Sequence, residues 1–414
     1  LTLSAAAGTL LTMSQPGPDV PPPAPPLPDT SWLVGYGRET ICAHWADDPA
    51  AQGGAAAVPI YQASTFVFPD AGAFERRDEP GSPYYTYTRV GNPTTAVLQA
   101  KVAQLENGTW CYAVASGMGA IAAALNACTA AGAHVVCTER CYWPAGRYLR
   151  TYLPRYGVET TFVNSVQVED YVAAFRPETR VLYIESPTSG TFDVLDVPRL
   201  AAAARDRGIT TLFDNSWASP MHFNPLDAGV DLVVHSGTKY IGGHSDALAG
   251  FIVGRDVRLQ TLVLREVELM GGTIDPFASW LMLRGLRTLP LRMERHARTA
   301  LACAEYLATH PKVRRVRHPG LASHPQHEIA RRQFRGWGSL FSFELADPSK
   351  DAAYRFVNAL RLFSIGVSWG GYESLALAAQ FGDPREGAWM VRLHCGLETE
   401  ADLLADIARA LDAV

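Results

Sequence analysis

From about residue 95 to 255, short apolar runs rich in β-branched and aromatic residues alternate with alanine-rich stretches at helical spacing. This alternation predicts βαβ crossovers and a mainly parallel sheet. The runs at 110–116, 134–138, 159–164, 180–186, 210–215, 231–236 and 247–254 read as strands. Between them GAIAAALNACTAA and PRLAAAARDRG read as helices, the second ended by Gly208. Ligands of such sheets bind beyond the carboxyl ends of the strands, so the polar residues closing each run are the first candidates for chemistry.

The last third changes character. LRMERHARTALACAEYLATH predicts a long helix over 291–310, and LFSFEL after it alternates apolar and polar residues like a half-exposed strand. ETEADLLADIARALDAV closes the chain with apolar residues at helical spacing behind an acidic first turn. The division expected is a large α/β domain over 86–275 and a smaller α+β domain over 276–414. Residues 14–30, SQPGPDVPPPAPPLPDT, are dominated by proline, which removes backbone donors and favours extended conformations. Residues 1–30 are therefore expected to form a disordered leader.

Composition narrows the function classes. With 414 residues, 48% hydrophobic and 19% charged, the chain can bury ample core. A net charge of −5 supplies no basic field for nucleic acid or anionic membrane, so a small-molecule partner is expected. No stretch approaches the roughly 20 apolar residues of a membrane span. The opening LTLSAAAGTLLTM lacks the positively charged start of a secretory signal. Seven cysteines, without a CxxC pair, suggest neither a disulfide framework nor a zinc site. A reducing cytoplasm is the expected compartment.

Two strand ends carry the most informative residues. Lys239 stands in DLVVHSGTKYIGGHSD, just after an apolar run, beside Ser236 and Thr238 and among glycines. Hydroxyls there can bind phosphate, while a desolvated amine becomes a nucleophile towards an aldehyde. Asp214 ends TTLFD, where a buried carboxylate can keep a pyridine nitrogen protonated. In ASGMGAIAAAL, Gly117, Met118 and Gly119 open a helix, so free N–H groups can face an anion. The same segment admits a rival reading. Gly117, Gly119 and Ala122 match the dinucleotide pattern, with Glu139 about 20 residues beyond, as in a nicotinamide oxidoreductase. That alternative leaves Asp214 and Lys239 without a task.

The run D-L-x-x-x-S-G-T-K-Y-I-x-G-H-S resembles the lysine signature of the Cys/Met-metabolism family of pyridoxal-phosphate enzymes, and the likeness extends from about residue 35 to the C-terminus. The resemblance implies fold type I, the aspartate-aminotransferase-like architecture, with pyridoxal 5'-phosphate as cofactor. It also implies a homotetramer of dimers that share active sites, with residues 31–85 as an arm on the neighbouring subunit. Lys239 is then the Schiff-base lysine and Asp214 the partner of the pyridine nitrogen. Gly117, Met118, Ser236 and Thr238 bind the phosphate, and Tyr87 and Arg89 reach that of the neighbouring subunit. Tyr142 resembles the tyrosine that stacks on the cofactor ring, and Arg392 the arginine that holds the substrate carboxylate. His235 and His244 flank the site, and no metal is assigned to them.

Within the family the residues resemble the bacterial β-lyase branch. Ser368, Trp369 and Tyr372 stand where γ-acting members typically carry a smaller aliphatic residue in place of the tryptophan, and Trp369 is expected to narrow the pocket. Pro144 follows two after Tyr142, and Ser189 replaces an asparagine common among γ-enzymes. Residues Val90 to Thr94 depart from this and look like the broader family. The implied reaction is α,β-elimination of cystathionine to homocysteine, pyruvate and ammonia, in methionine biosynthesis. A cysteine or cystine lyase and a γ-acting relative are the alternatives.

Overall fold

Local signals in the sequence set where elements begin. Asn92 caps the helix α1 (Pro93–Leu105), its side chain accepting the Thr94 N–H, with Pro93 at the first position. Ser116 likewise caps α2 (Gly117–Cys128) through the Gly119 N–H. The strands between and after them are β1 (Trp110–Val114), β2 (His134–Thr138), β3 (Glu159–Val163), β4 (Thr179–Glu185), β5 (Thr210–Asp214), β6 (Leu232–Ser236) and β7 (Gly250–Gly254). The structure is a computed structural model that describes residues 26–79, 81–381 and 389–414. Residues 1–25 of the expected leader lie outside these.

The strands form one sheet in the order β1-β7-β6-β5-β4-β2-β3. β2 through β6 pair in parallel, and β7 runs antiparallel to both β1 and β6. Alternate strand residues serve opposite faces. Phe213 and Val233 enter one apolar cluster, while Leu212 and Val234 enter another on the other side. Both faces are covered, which explains why the strands read as continuous apolar runs.

Two further helices follow, α3 (Val257–Met270) and α4 (Pro276–Thr309). α4 starts earlier than the expected 291, because Asp275 caps it through the Phe277 N–H and Pro276 suits its first position. Pro290 lies inside it without ending it. Packing outweighs the lost hydrogen bond. Met282, Leu283, Leu286, Leu289 and Met293 bury against the large-sheet core, and Ala300, Cys303, Ala304 and Leu307 against the second core. The change of core thus falls within α4, between Met293 and Ala300, and not at residue 276 where the expected division lay.

The second core lies under a five-stranded sheet of β8 (Val313–Arg317), β9 (Leu340–Leu345), β10 (Ser364–Ile365), β11 (Leu375–Ala379) and β12 (Met390–His394), in the order β10-β11-β12-β9-β8. The helices α5 (Lys350–Ala359) and α6 (Glu400–Asp412) cover it. β9 corrects an expectation: every residue of LFSFEL is buried. Its polar positions are satisfied internally, Ser342 donating to Gly190 O at 2.6 Å and Glu344 pairing with Arg317 at 2.8 Å. Alternation here reflects buried polar contacts with the large domain and with β8, not solvent. The expected arm over 31–85 is also partly tied to its own chain, since Ile41, Cys42, Ala46 and Val58 join the large-sheet core.

Gly285 of α4 touches the loop that follows β6, where an added Cβ would lie 2.3 Å from Ile241 O and 2.4 Å from Gly242 O. Those are backbone atoms of a turn that Arg292 also grips, donating to Tyr240 O at 2.6 Å. Gly285→Ala is therefore expected to destabilise the fold by about 1–3 kcal/mol through overpacking, read as a lower thermal midpoint in calorimetry.

Candidate active site

The carboxyl ends of β4, β5 and β6 gather Glu185, Asp214 and Ser236 at one edge of the sheet, with Glu185 opposite Asp214 in register and Ser236 two residues past Val234, the partner of Asp214. A tight turn follows β6, closed by Lys239 N–H to Ser236 O at 3.1 Å and Gly243 N–H to Lys239 O at 2.8 Å. It delivers Lys239 into a cavity of about 1030 Å³. Gly117, Met118, Tyr142, Asp214, Ser236, Thr238, Lys239, Ser368, Trp369 and Arg392 all line this cavity, as do Pro144 and Ser189. They come from both domains.

One corner is built for an anion. Gly117 and Met118 are the first residues of α2, so neither N–H has an intrahelical acceptor. A Cβ at Gly117 would lie 2.8 Å from Ser236 Cβ, so only glycine lets the helix end approach this hydroxyl. Thr238 lies beyond, its hydroxyl accepting the Ala249 N–H at 3.2 Å. Backbone donors and two hydroxyls at a helix start match a phosphate group.

At the opposite corner Asp214 accepts the Ser216 N–H at 2.9 Å. Burial lifts its carboxyl above the ordinary range, and the Ser216 hydrogen bonds, His235 and Lys239 work against that rise. Glu185 is pushed up to about 8 by burial and then by the neighbouring Asp214. It accepts the Ser189 hydroxyl at 2.6 Å and the Tyr142 N–H. Burial, then Asp214 and Glu185, raise the Tyr142 phenol.

Lys239 donates from Nζ to Ser368 Oγ at 3.0 Å and lies 5.6 Å from the Trp369 ring centroid. Its amine is lowered to about 8, by burial first and the Arg392 cation second, against the pull of Asp214. Arg392, on β12, donates to Val367 O at 2.7 Å and to Ser368 O at 3.4 Å. An aldehyde-reactive amine, an anion cradle and a buried acid suited to a ring N–H together fit pyridoxal phosphate. Among the described residues no cluster of histidine, cysteine and carboxylate side chains could hold a metal ion.

Tyr87 and Arg89 are not brought into this cavity. Tyr87 is 46% exposed, with its backbone bridged to Thr65. Arg89 donates to Glu268 O at 3.0 Å, at the end of α3. Tyr372 is exposed and also stands off the cavity wall. Glu185 and Ser216 line the site yet escaped the sequence reading. Glu185 carried a legible signal, because it closes RVLYIE as Asp214 closes TTLFD. The dinucleotide reading fails on topology. β1 and β2 would have to be neighbours for Glu139 to serve the glycine turn, but β7, β6, β5 and β4 lie between them.

The model of the family described as "Cys/Met metabolism PLP-dependent enzyme" matches residues 39–412. The chain belongs to this family. It is 38% identical over 394 residues to a protein of Rhizobium johnstonii named putative cystathionine beta-lyase, covering 92% of this chain and 98% of that one. It is equally 38% identical, over 374 residues, to the L-methionine gamma-lyase of Porphyromonas gingivalis, covering 87% of this chain and 94% of the relative. The solved structure titled "Crystal structure of metB from Corynebacterium glutamicum" superposes with a TM-score of 0.85 at 33% identity, covering 92% of this chain and 98% of that one. The family is dependent on pyridoxal phosphate, and the α/β fold with a large central sheet and smaller C-terminal domain is the one expected from the strand pattern.

The cause of the Lys239 shift is testable in the cofactor-free protein. Its amine loses its proton above about pH 8, so the rate of reductive methylation at Lys239, followed by mass spectrometry, is expected to rise with a midpoint near 8. An ordinary lysine has a midpoint of about 10.4. Arg392→Ala removes the second cause, and the midpoint is expected to move upward.

Proposed function

We propose that the chain is a carbon-sulfur lyase that cleaves L-cystathionine by α,β-elimination and, with one water, releases L-homocysteine, pyruvate and ammonia. The observation that carries this reading is Trp369, which walls the cavity beside Lys239 with its ring centroid 5.6 Å from Nζ. An indole there narrows the space around the reacting carbon, as the β-lyase resemblance of Ser368, Trp369, Pro144 and Ser189 implies. Relatives of equal identity carry β-lyase and γ-lyase names, so overall similarity does not choose the branch. The indole at the cavity wall is the feature that supports the β-lyase reading.

Bound pyridoxal phosphate supplies the electron sink for the pair released when the substrate Cα–H bond breaks. Gly117, Met118, Ser236 and Thr238 would hold its phosphate, and Asp214 would hold a proton on its ring nitrogen. That role suits an acid whose burial leaves it in want of a cationic partner. Tyr142 would cover the ring with its aromatic face. Arg392 offers the planar fork that fixes a substrate α-carboxylate, and its own contacts to Val367 O and Ser368 O hold that fork in place. Lys239, whose neutral amine is accessible at mild pH, takes the α-proton at Nζ. The phenol of Tyr142, raised by burial and two acids, keeps its proton at neutral pH and can give it to the departing sulfur.

We further assign Tyr87 and Arg89 to the cavity of a second copy of the chain. Both stand away from their own cavity, and apolar side chains near them are exposed, Leu269 at 81% and Met270 at 69%. A homotetramer, a cytoplasmic setting and a step in methionine biosynthesis complete this reading, and the seven free thiols accord with the reducing compartment.

The test is product analysis. Purified protein with pyridoxal phosphate is expected to release pyruvate from cystathionine, and 2-oxobutyrate in its place would move the assignment to γ-elimination. Lys239→Ala is expected to lower kcat by about 10²–10⁴-fold, the worth of a positioned general base. Trp369→Ala is expected to raise the share of 2-oxobutyrate among the products.

A further inference from the structure

The segment that carries Ser368 and Trp369 has little regular structure of its own, yet it makes the cavity wall. Gly370 holds it against the lysine turn, with φ of +85° and a Cβ position only 2.9 Å from Lys239 C and Tyr240 N. Something must hold a glycine-rich turn so close to another backbone. His394, at the end of β12 and 1% exposed, supplies the contact. Its Nε2 lies 3.0 Å from Gly370 N and 3.1 Å from Gly371 O. As an acceptor it takes the Gly370 N–H, and as a donor it serves the Gly371 carbonyl, so the ring anchors the turn in either neutral tautomer.

The other ring nitrogen completes a buried chain back to the lysine turn. His394 Nδ1 lies 2.6 Å from Ser339 Oγ, and Ser339 Oγ lies 2.7 Å from the Tyr240 hydroxyl. Ser339 N–H also donates to that hydroxyl at 2.6 Å. Tyr240 follows Lys239 in the chain and packs its ring against Trp369 with centroids 5.3 Å apart at 66°. Burial, with His296, Arg392 and Lys239 nearby, keeps the imidazole neutral. The Val367 and Ser368 carbonyls that accept from Arg392 belong to the same segment. One ring therefore lies behind the wall, the lysine contact and the arginine fork.

We infer that His394 is a positioning residue for substrate selectivity: its Nε2 pins the Gly370–Gly371 turn and so fixes Ser368 and Trp369 beside Lys239. The inference rests on the reading that this cavity is the reaction site with Trp369 as its wall. A shorter side chain that reaches Ser339 but not the turn should loosen the wall, and one that reaches both should not.

The test compares His394→Asn, whose amide stops near the Nδ1 position, with His394→Gln, whose amide extends towards Nε2. Melting temperature and apoprotein affinity for pyridoxal phosphate establish that each variant is folded. The ratio of kcat/KM for cystathionine to that for methionine is expected to fall at least about tenfold in His394→Asn, with a raised KM for cystathionine, since displaced pocket contacts of this size change discrimination by that order. His394→Gln is expected to stay near the wild-type ratio. Acrylamide quenching, measured against a Trp369→Phe background, should show Trp369 more accessible in His394→Asn. A folded His394→Asn with unchanged ratio and quenching overturns the inference. If that variant does not fold, hydrogen exchange in the wild-type protein decides: amides 369–371 are expected to be protected, and exchange at the rate of an open loop overturns it. Failure of wild-type protein to release any keto acid from cystathionine would count against the lyase reading alone, because quenching and exchange still report on the turn.

Discussion

Parallel pairing in register is the constraint on which the site depends. β4, β5 and β6 run the same way, so their carboxyl ends meet at one edge, with Glu185 opposite Asp214 and Ser236 one strand further. An antiparallel neighbour would have sent one of these ends to the far side of the sheet. The burial of both faces, by clusters that take alternate residues, makes a register slip costly because it would turn a whole strand inside out. The rigidity of the sheet is thereby passed to three chemically different side chains.

That geometry concentrates titratable groups where water is scarce. Asp214 and Glu185 are both lifted, Lys239 is lowered to about 8 and Arg392 to about 10, with burial the first cause in each case. The shifts all favour the neutral form, as burial of charge-bearing groups in one cavity dictates. A cationic ring nitrogen beside Asp214, an anionic phosphate at the start of α2 and a carboxylate at Arg392 would each restore a charge balance.

The parts of this arrangement differ in how far the sequence discloses them. Strands buried on both faces left uninterrupted apolar runs, so the large sheet and its polar strand ends could be read directly, including Asp214 and Lys239. β9 was misread because Ser342 and Glu344 find partners inside the protein, and alternation alone cannot tell a buried partner from water. The helix predicted over 291–310 misses the first part of α4 because local propensity says nothing about the two cores that hold the helix on either side. Topology was the least legible: the glycines after β1 look the same whether β2 lies beside β1 or has four strands between it and β1. Tyr87 and Arg89 show another limit: if they serve a second copy, as proposed, the contacts of their own chain would carry no trace of it.

The two domains contribute unlike functions to one cavity. The large domain brings the acid, the amine and the anion cradle, all on strand ends or the turn and helix beside them. The small domain brings Ser368, Trp369 and Arg392 to the same cavity, and it hangs them on a short loop and one strand. On the proposed function, changes in the loop would alter which bond is presented for cleavage without disturbing the buried acid or the amine. Arg292 of α4 ties the parts together, donating to Tyr240 O beside the lysine and to Gly285 O in its own helix, at a point just before the helix passes from one core to the other. A family in which relatives of equal similarity bear β-lyase and γ-lyase names is what such a division of labour permits.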